Sequence, residues 1–167
     1  MYLPVIRQFQ KTLRQIDTWL TLAEEHAKAK SFDPNVFLTL RLAPDQFPFV
    51  RQVQSTCDTA KLAASRLGGK EAPSHPDTEA TIGELRTRVA AVVEYLGTFS
   101  EKDFAEAANR PIKTPRWPGP MKGSDYLLEH ALPNFFFHST TSYAILRHNG
   151  VSIGKKNFLG DLTFQPA

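Results

Sequence analysis

Residues 5–28 read VIRQFQKTLRQIDTWLTLAEEHAK, and their spacing decides the fold class. Ile6, Phe9, Leu13, Ile16, Leu20, Ala23 and Ala27 recur at alternating three- and four-residue steps. On a helix these positions line up as one apolar stripe. Arg7, Lys11, Arg14, Glu25 and Lys28 fall on the other faces, where water solvates them. A helix of this kind is stable only when its stripe is covered, so the rest of the chain must supply matching apolar faces. Ser31, Asp33 and Pro34 break the pattern.

Outward from this helix the same period returns. Val50, Val53, Cys57, Ala60, Ala64 and Leu67 predict a second helix whose small side chains admit a close neighbour, and Gly68 with Gly69 supplies its stop. Thr81 and Glu84 have the spacing of a capping box, ahead of a third helix striped by Ile82, Leu85, Val89, Val92 and Leu96 and closed by Gly97. His75 lies before it in a polar loop between two prolines, where an exposed, inert histidine is expected. From Thr98 to Gly123 the spacing is irregular: a short helix over Glu101 to Ala108 behind Ser100, then a crossing through Pro111, Pro115, Pro118 and Pro120 with Trp117 as its anchor. A connection of this length usually has a role, such as lidding a cavity.

Ser124 can cap a fourth helix, interrupted near Pro133 and resumed as PNFFFHSTTSYAILRHNG, residues 133–150. The tail beyond has no clear period, and Phe158, Leu159 and Phe164 are expected to pack back onto the bundle. The predicted fold is all-α: an antiparallel four-helix bundle in one domain over residues 1–167, with a long proline-rich connection between the third and fourth helices and a short C-terminal tail.

The chain's 167 residues can bury a core that needs no staples. Cys57 is the sole cysteine, so no intrachain disulfide can form and a reducing, cytoplasmic setting is expected. Cys57 itself reads as a small core residue, because no basic partner is placed to activate it. The N-terminus lacks the pattern of a signal peptide, and no run approaches the roughly 20 apolar residues of a membrane span. The net charge of +3 is spread without a stripe or cluster, and no nucleic acid or membrane partner is expected.

The fourth helix carries the anomaly. Asn134, His138, Thr141, Ile145 and His148 occupy heptad steps that elsewhere hold core residues, yet four of the five are polar. With apolar shoulders on both sides, an inward-facing stripe would line a cavity and require partners, since each unpaired polar group would cost about 1–3 kcal/mol. A rotated helix would instead turn the stripe to water and the phenylalanines inward, and periodicity leaves both open. His130, His138 and His148 are separated by about 12 and 15 Å along a continuous helix, so no pair of them chelates one ion. A helical HxxxH pair is absent, with Asn134 where its first histidine would stand. Residues 150–156 lack the glycine spacing and following Ser or Thr of a phosphate loop, and Ser139 and Ser142 have no nucleophile elbow around them.

PNFFFHSTTSYAILRHNG followed by GKKNFLG, together with RQVQSTCDTAKLAASRLGG and the opening helix, resembles an uncharacterised bacterial family within the DinB/YfiT-like superfamily. The resemblance implies a four-helix bundle, commonly a homodimer, with a divalent metal held by three histidines in many members and thiol-transferase or hydrolase activity in some. His138 matches the second histidine of the superfamily's HxxxH motif, Asn134 replaces the first, and the histidine of early helix two is missing, Gln54 being the nearest polar residue to that helix's inner stripe. The expected site is therefore a small-molecule pocket lined by Asn134, His138, Thr141 and Gln54 over a degenerate metal site. No cofactor is expected. One alternative is a hydrolase or thiol transferase that holds zinc or nickel through His138, and another is a non-catalytic structural protein whose partner is a second copy.

Overall fold

The computed structural model describes residues 1–114 and 117–165. Its helices are α1 (Tyr2–Ala29), α2 (Phe49–Gly68), α3 (Ile82–Gly97), α4 (Gly123–Asp125), α5 (Leu132–His148) and α6 (Lys155–Leu159). Among the described residues the strands are β1 (Pro111–Ile112) and β2 (Met121–Lys122), one short antiparallel pair in the connection before α4. Four long helices form the bundle, and none is long and apolar enough to cross a membrane.

The stripes meet in one core. Ile16, Leu20, Val53, Cys57, Val89 and Val92 are all buried, and Phe9 of α1 stacks on Phe135 of α5 with ring centroids 4.1 Å apart. Burial of Cys57 pushes its thiol up to about 12, which leaves it an inert core group. Thr81 and Glu84 make the capping box at the start of α3. The interruption near Pro133 is one π-helical stretch, Tyr126–Ala131, between α4 and α5. Proline has no N–H to give, and its ring would strike the carbonyl four residues back in a regular α-helix; the wider π turn makes room for it.

Polar contacts fix the helix directions. Arg7, early in α1, donates to the carbonyls of Leu96 and Phe99 at 2.9 and 2.7 Å, while Asp17 and Glu24, later in α1, pair with Arg86 near the start of α3. α1 and α3 are thus antiparallel. α2 and α5 are also antiparallel, since Gln52 meets His138 and Thr59 meets Asn134. α2 and α3 run the same way: Asp58 pairs with Arg88, and Lys70 just past α2 donates to Thr98 just past α3. Residues 69–81 must therefore return along the whole bundle, and their extended reach of up to about 43 Å exceeds the roughly 30 Å rise of α2.

Arg88 ties that crossover down. Its side chain is 1% exposed and pairs with Asp58 (2.7 Å), Glu79 (2.9 Å) and Asp77 (3.0 Å). Burial alone would lower the Arg88 pKa, but these carboxylates more than offset it and hold it above its ordinary value. His75 is not the free loop residue expected from its flanking prolines. It is half-buried, and its Nδ1 accepts from Lys61 Nζ at 3.0 Å. Lys61, itself buried, also pairs with Asp58 at 2.9 Å.

The connection after α3 begins with a 3-10 turn, Glu101–Phe104, opened by a Ser100–Asp103 capping box. Trp117 packs against Tyr126 and His130, with centroids 5.9 and 5.0 Å away, while Pro115 lies outside the described residues. In the tail Val151 and Ile153 are buried and Phe158 packs on Trp19 and Tyr143, each at 5.7 Å. Leu159 and Phe164, expected to pack as well, are exposed at 40% and 80%. α6 is little more than one turn, so it turns only one large side chain inward.

Candidate functional site

A groove of about 270 Å³ runs between α2 and α5. Arg51, Ser55, Asp58, Thr59, Leu62 and Arg66 line it from α2; Tyr126, His130, Asn134 and His138 line it from the π-helical stretch and α5, and Phe47 stands at one end. Both walls follow three- and four-residue steps, so each helix contributes one continuous strip. Along α2 the strip from Arg51 to Arg66 is about 22 Å long. Its volume is just under the common range of about 300–1,000 Å³ for ligand pockets and suits a small, elongated molecule.

α5 sits so that Phe135, His138, Ser139, Ser142, Ile145 and Leu146 are buried, while Phe137 is 56% exposed. Of the polar stripe, His138 and Thr141 are buried, Asn134 is half-buried beside α2, and His148 is exposed. The Gln52 amide fixes His138. Gln52 Nε2 donates to the Phe47 carbonyl at 3.1 Å, so its Oε1 faces His138 Nδ1 at 2.7 Å. A carbonyl oxygen can only accept, which assigns the proton to Nδ1 and the lone pair to Nε2. Burial, with the charge of Arg51 adding to it, lowers the His138 pKa from the ordinary 6.5 and keeps the ring neutral. Phe47 lies nearly parallel to the imidazole with ring centres 6.5 Å apart, and the Arg51 guanidinium lies 5.7 Å from the centre of the Phe47 ring.

Asn134 Nδ2 donates to Thr59 Oγ1 at 2.7 Å, bridging the groove midway and dividing it into a His138 end and a His130 end. Thr141 does not line the groove; its hydroxyl donates to the Phe137 carbonyl at 2.7 Å within its own helix. Gln54 does not meet His138 either. Its Nε2 donates to Glu79 at 2.7 Å and its Oε1 accepts from Arg51 at 3.3 Å, which makes it part of the Arg88 cluster. A step of two residues turns about 200° around a helix, so Gln52 and Gln54 face opposite sides and only one can reach α5. Gln52, Thr56 and Thr59 repeat at four- and three-residue steps, a second polar strip beside the small-residue stripe that would have singled out Gln52.

The donor set does not fit a divalent metal. His138 can offer Nε2, with Nδ1–H held by Gln52 as a metal-ligating histidine's would be, but a single nitrogen does not make a site. Asn134 donates its Nδ2 to Thr59, which leaves only its neutral Oδ1 beside His138, and Arg51 and Arg66 put positive charge in the same groove. Among the described residues no three His, Cys, Asp or Glu side chains group closely enough to hold an ion.

Antiparallel pairing of α1 with α3 and of α2 with α5, with the groove between the latter two, defines an all-helical bundle. The chain belongs to the family described as Domain of unknown function (DUF1993), whose model matches residues 1–159. It is also similar to a solved structure, a DinB family member protein from Shewanella denitrificans: 47% identity over 97% of this chain and 93% of that one, with a TM-score of 0.94. Comparison with curated proteins yields no match.

Proposed function

We propose that the protein binds a small polar molecule in the α2/α5 groove without a metal, the superfamily's metal position being degenerate here. The placing of Arg51 and Arg66 in the same groove as His138 carries this reading: Gln52 fixes the imidazole with Nε2 as a neutral acceptor, and the two guanidinium groups favour a polar ligand over a cation. A ligand hydroxyl or amide N–H would donate to Nε2, and the Arg51 guanidinium and Ser55 hydroxyl beside it would meet an acceptor on the same molecule. Phe47 and Phe137, exposed on either side of His138, would cover the ligand's apolar part. Reaction chemistry at a metal is not part of this reading.

The test is made by NMR on the full chain. Nitrogen-15 spectra should show His138 as the Nδ1–H tautomer, unchanged by an equivalent of zinc, and a panel of small alcohols and amides should shift the signals of His138, Ser55 and Thr59. A stoichiometric zinc complex at His138 would overturn the proposal in favour of a metalloenzyme. So would a panel that leaves all three signals in place.

A further inference from the structure

Beyond the Asn134–Thr59 bridge the groove changes character. Arg66 pairs with no carboxylate among the described residues, unlike Arg51, Arg86 and Arg88, each of which has at least one. It is nonetheless held in place: its guanidinium lies 5.7 Å from the centre of the Tyr126 ring, and Nη1 donates to the Tyr126 hydroxyl at 3.3 Å. That engages one of its five N–H groups.

His130 stands beside it, stacked on Tyr126 at 5.6 Å and meeting the Trp117 edge at 5.0 Å. Its Nδ1 is buried with no hydrogen-bond partner. An orphaned acceptor is tolerated more readily than an orphaned N–H, so the proton belongs on Nε2, the nitrogen that is not sealed off. Burial and the charge of Arg66 both lower the His130 pKa, in keeping with a neutral ring close to the guanidinium. The Tyr126 hydroxyl, which accepts from Arg66, retains its own hydrogen to give. Arg66, His130 and Tyr126 thus line one end of the groove with donors to spare, while Asp58, the carboxylate lining the groove, is held by Arg88 at 2.7 Å and Lys61 at 2.9 Å.

We propose that this end of the groove is a subsite for a small oxyanion, a phosphate or carboxylate group, held by the Arg66 guanidinium, His130 Nε2–H and the Tyr126 hydroxyl. Planar, forked donors of arginine match such a group in geometry and charge. The inference deepens the groove reading and rests on it, assigning the anionic head of the ligand to this end and its neutral polar part to His138.

Inorganic phosphate and acetate, titrated separately into the full chain above neutral pH, distinguish the two oxyanions. Saturable binding of either, followed by calorimetry and by the His130 and Tyr126 ring signals, is expected. Arg66→Gln should weaken it about tenfold or more, the scale of a lost charged hydrogen bond. Arg147→Gln, the same charge change at an exposed site on α5, should leave it unchanged. His130→Gln, which keeps an N–H donor, should retain binding that His130→Phe loses, and an unchanged urea midpoint establishes that each variant is folded. Absence of saturable binding by both anions overturns the subsite, as does binding that survives Arg66→Gln or falls equally in Arg147→Gln. Failure of the wider groove reading would register separately, at His138 and Ser55.

Discussion

A single glutamine position decides what His138 can do. Gln52 spends both halves of its amide, one on the Phe47 carbonyl and one on the imidazole, so the ring's tautomer is set by backbone geometry one helix away. The same neutrality extends to two other histidines. Burial and Arg66 lower His130; burial, Lys61 and Arg88 lower His75; burial and Arg51 lower His138. A histidine whose folded pKa lies below its unfolded value takes up its proton first in the unfolded chain. Its contribution to stability is therefore present above about pH 6.5 and is lost as pH falls through that value toward the folded pKa. The urea midpoint should drop between about pH 7 and pH 5, and His138→Gln, which can still donate to Gln52, should flatten part of that drop. Midpoints measured at both ends of the range check this, and equal values in the wild-type chain would contradict it. His75 does not serve as an unperturbed reference histidine, because Lys61 sits against it.

The fourth bundle helix shows how an element is built around its exceptions. Pro133 is accommodated by the π-helical turn before it, and that turn carries Tyr126 and His130 to the groove wall. At its base, Gly123 starts α4 pressed against the preceding connection. A Cβ there would stand 1.9 Å from the Ala107 carbonyl oxygen and 3.0 Å from Leu67. Backbone cannot yield as a flexible side chain does, so Gly123→Ala should destabilise by about 1–3 kcal/mol or more. Gly83→Ala makes the informative contrast. In the exposed first turn of α3 a Cβ meets nothing closer than 3.9 Å, and the gain in helix propensity should stabilise by about 0.5–1 kcal/mol. Urea unfolding of the two variants should give shifts of opposite sign; shifts of one sign would mean that the close packing at Gly123 is misplaced.

At the scale of the molecule, the path of the chain depends on how the crossover between two parallel helices is held. Residues 69–81 bring α3 back to run alongside α2, and Arg88 grips that segment through Asp77 and Glu79 while gripping α2 through Asp58. Glu79 shows the balance: burial raises its pKa, but hydrogen bonds from Arg88, the backbone and Gln54, together with the Arg88 charge, outweigh it and leave a net decrease. Arg88→Met would leave the largely buried Glu79 without its cation, while Asp58 keeps Lys61 and Asp77 keeps Arg51, at a cost of about 3 kcal/mol, the lower end for broken buried pairs. The expected outcome is a lower urea midpoint together with new protease cleavage in the crossover. A variant as stable and as resistant as the parent would show that apolar packing alone secures the topology.

Helix content and the core are local properties of this chain, and the sequence by itself determined them. The three- and four-residue steps of α1, α2 and α3 admit one helical face each, and Ile16, Leu20, Cys57 and Val92 are buried accordingly. The Thr81–Glu84 box and the break near Pro133 are legible for the same reason, since a cap and a missing N–H act within one turn. The stripes do not encode pairing, because a stripe is equally well covered by a parallel or an antiparallel neighbour; the pairing of α1 with α3 and α2 with α5 was decided by the path of the connections. Of the site residues, Asn134 and His138 stood out in sequence as polar groups at core steps. Their partners, Thr59 and Gln52, lie on a polar strip of α2 that the sequence shows, but whether that strip meets α5 or water depends on how two separately amphipathic helices are rotated against each other. Three successive phenylalanines left that rotation of α5 undetermined until the bundle closed and Phe135, not Phe137, entered the core.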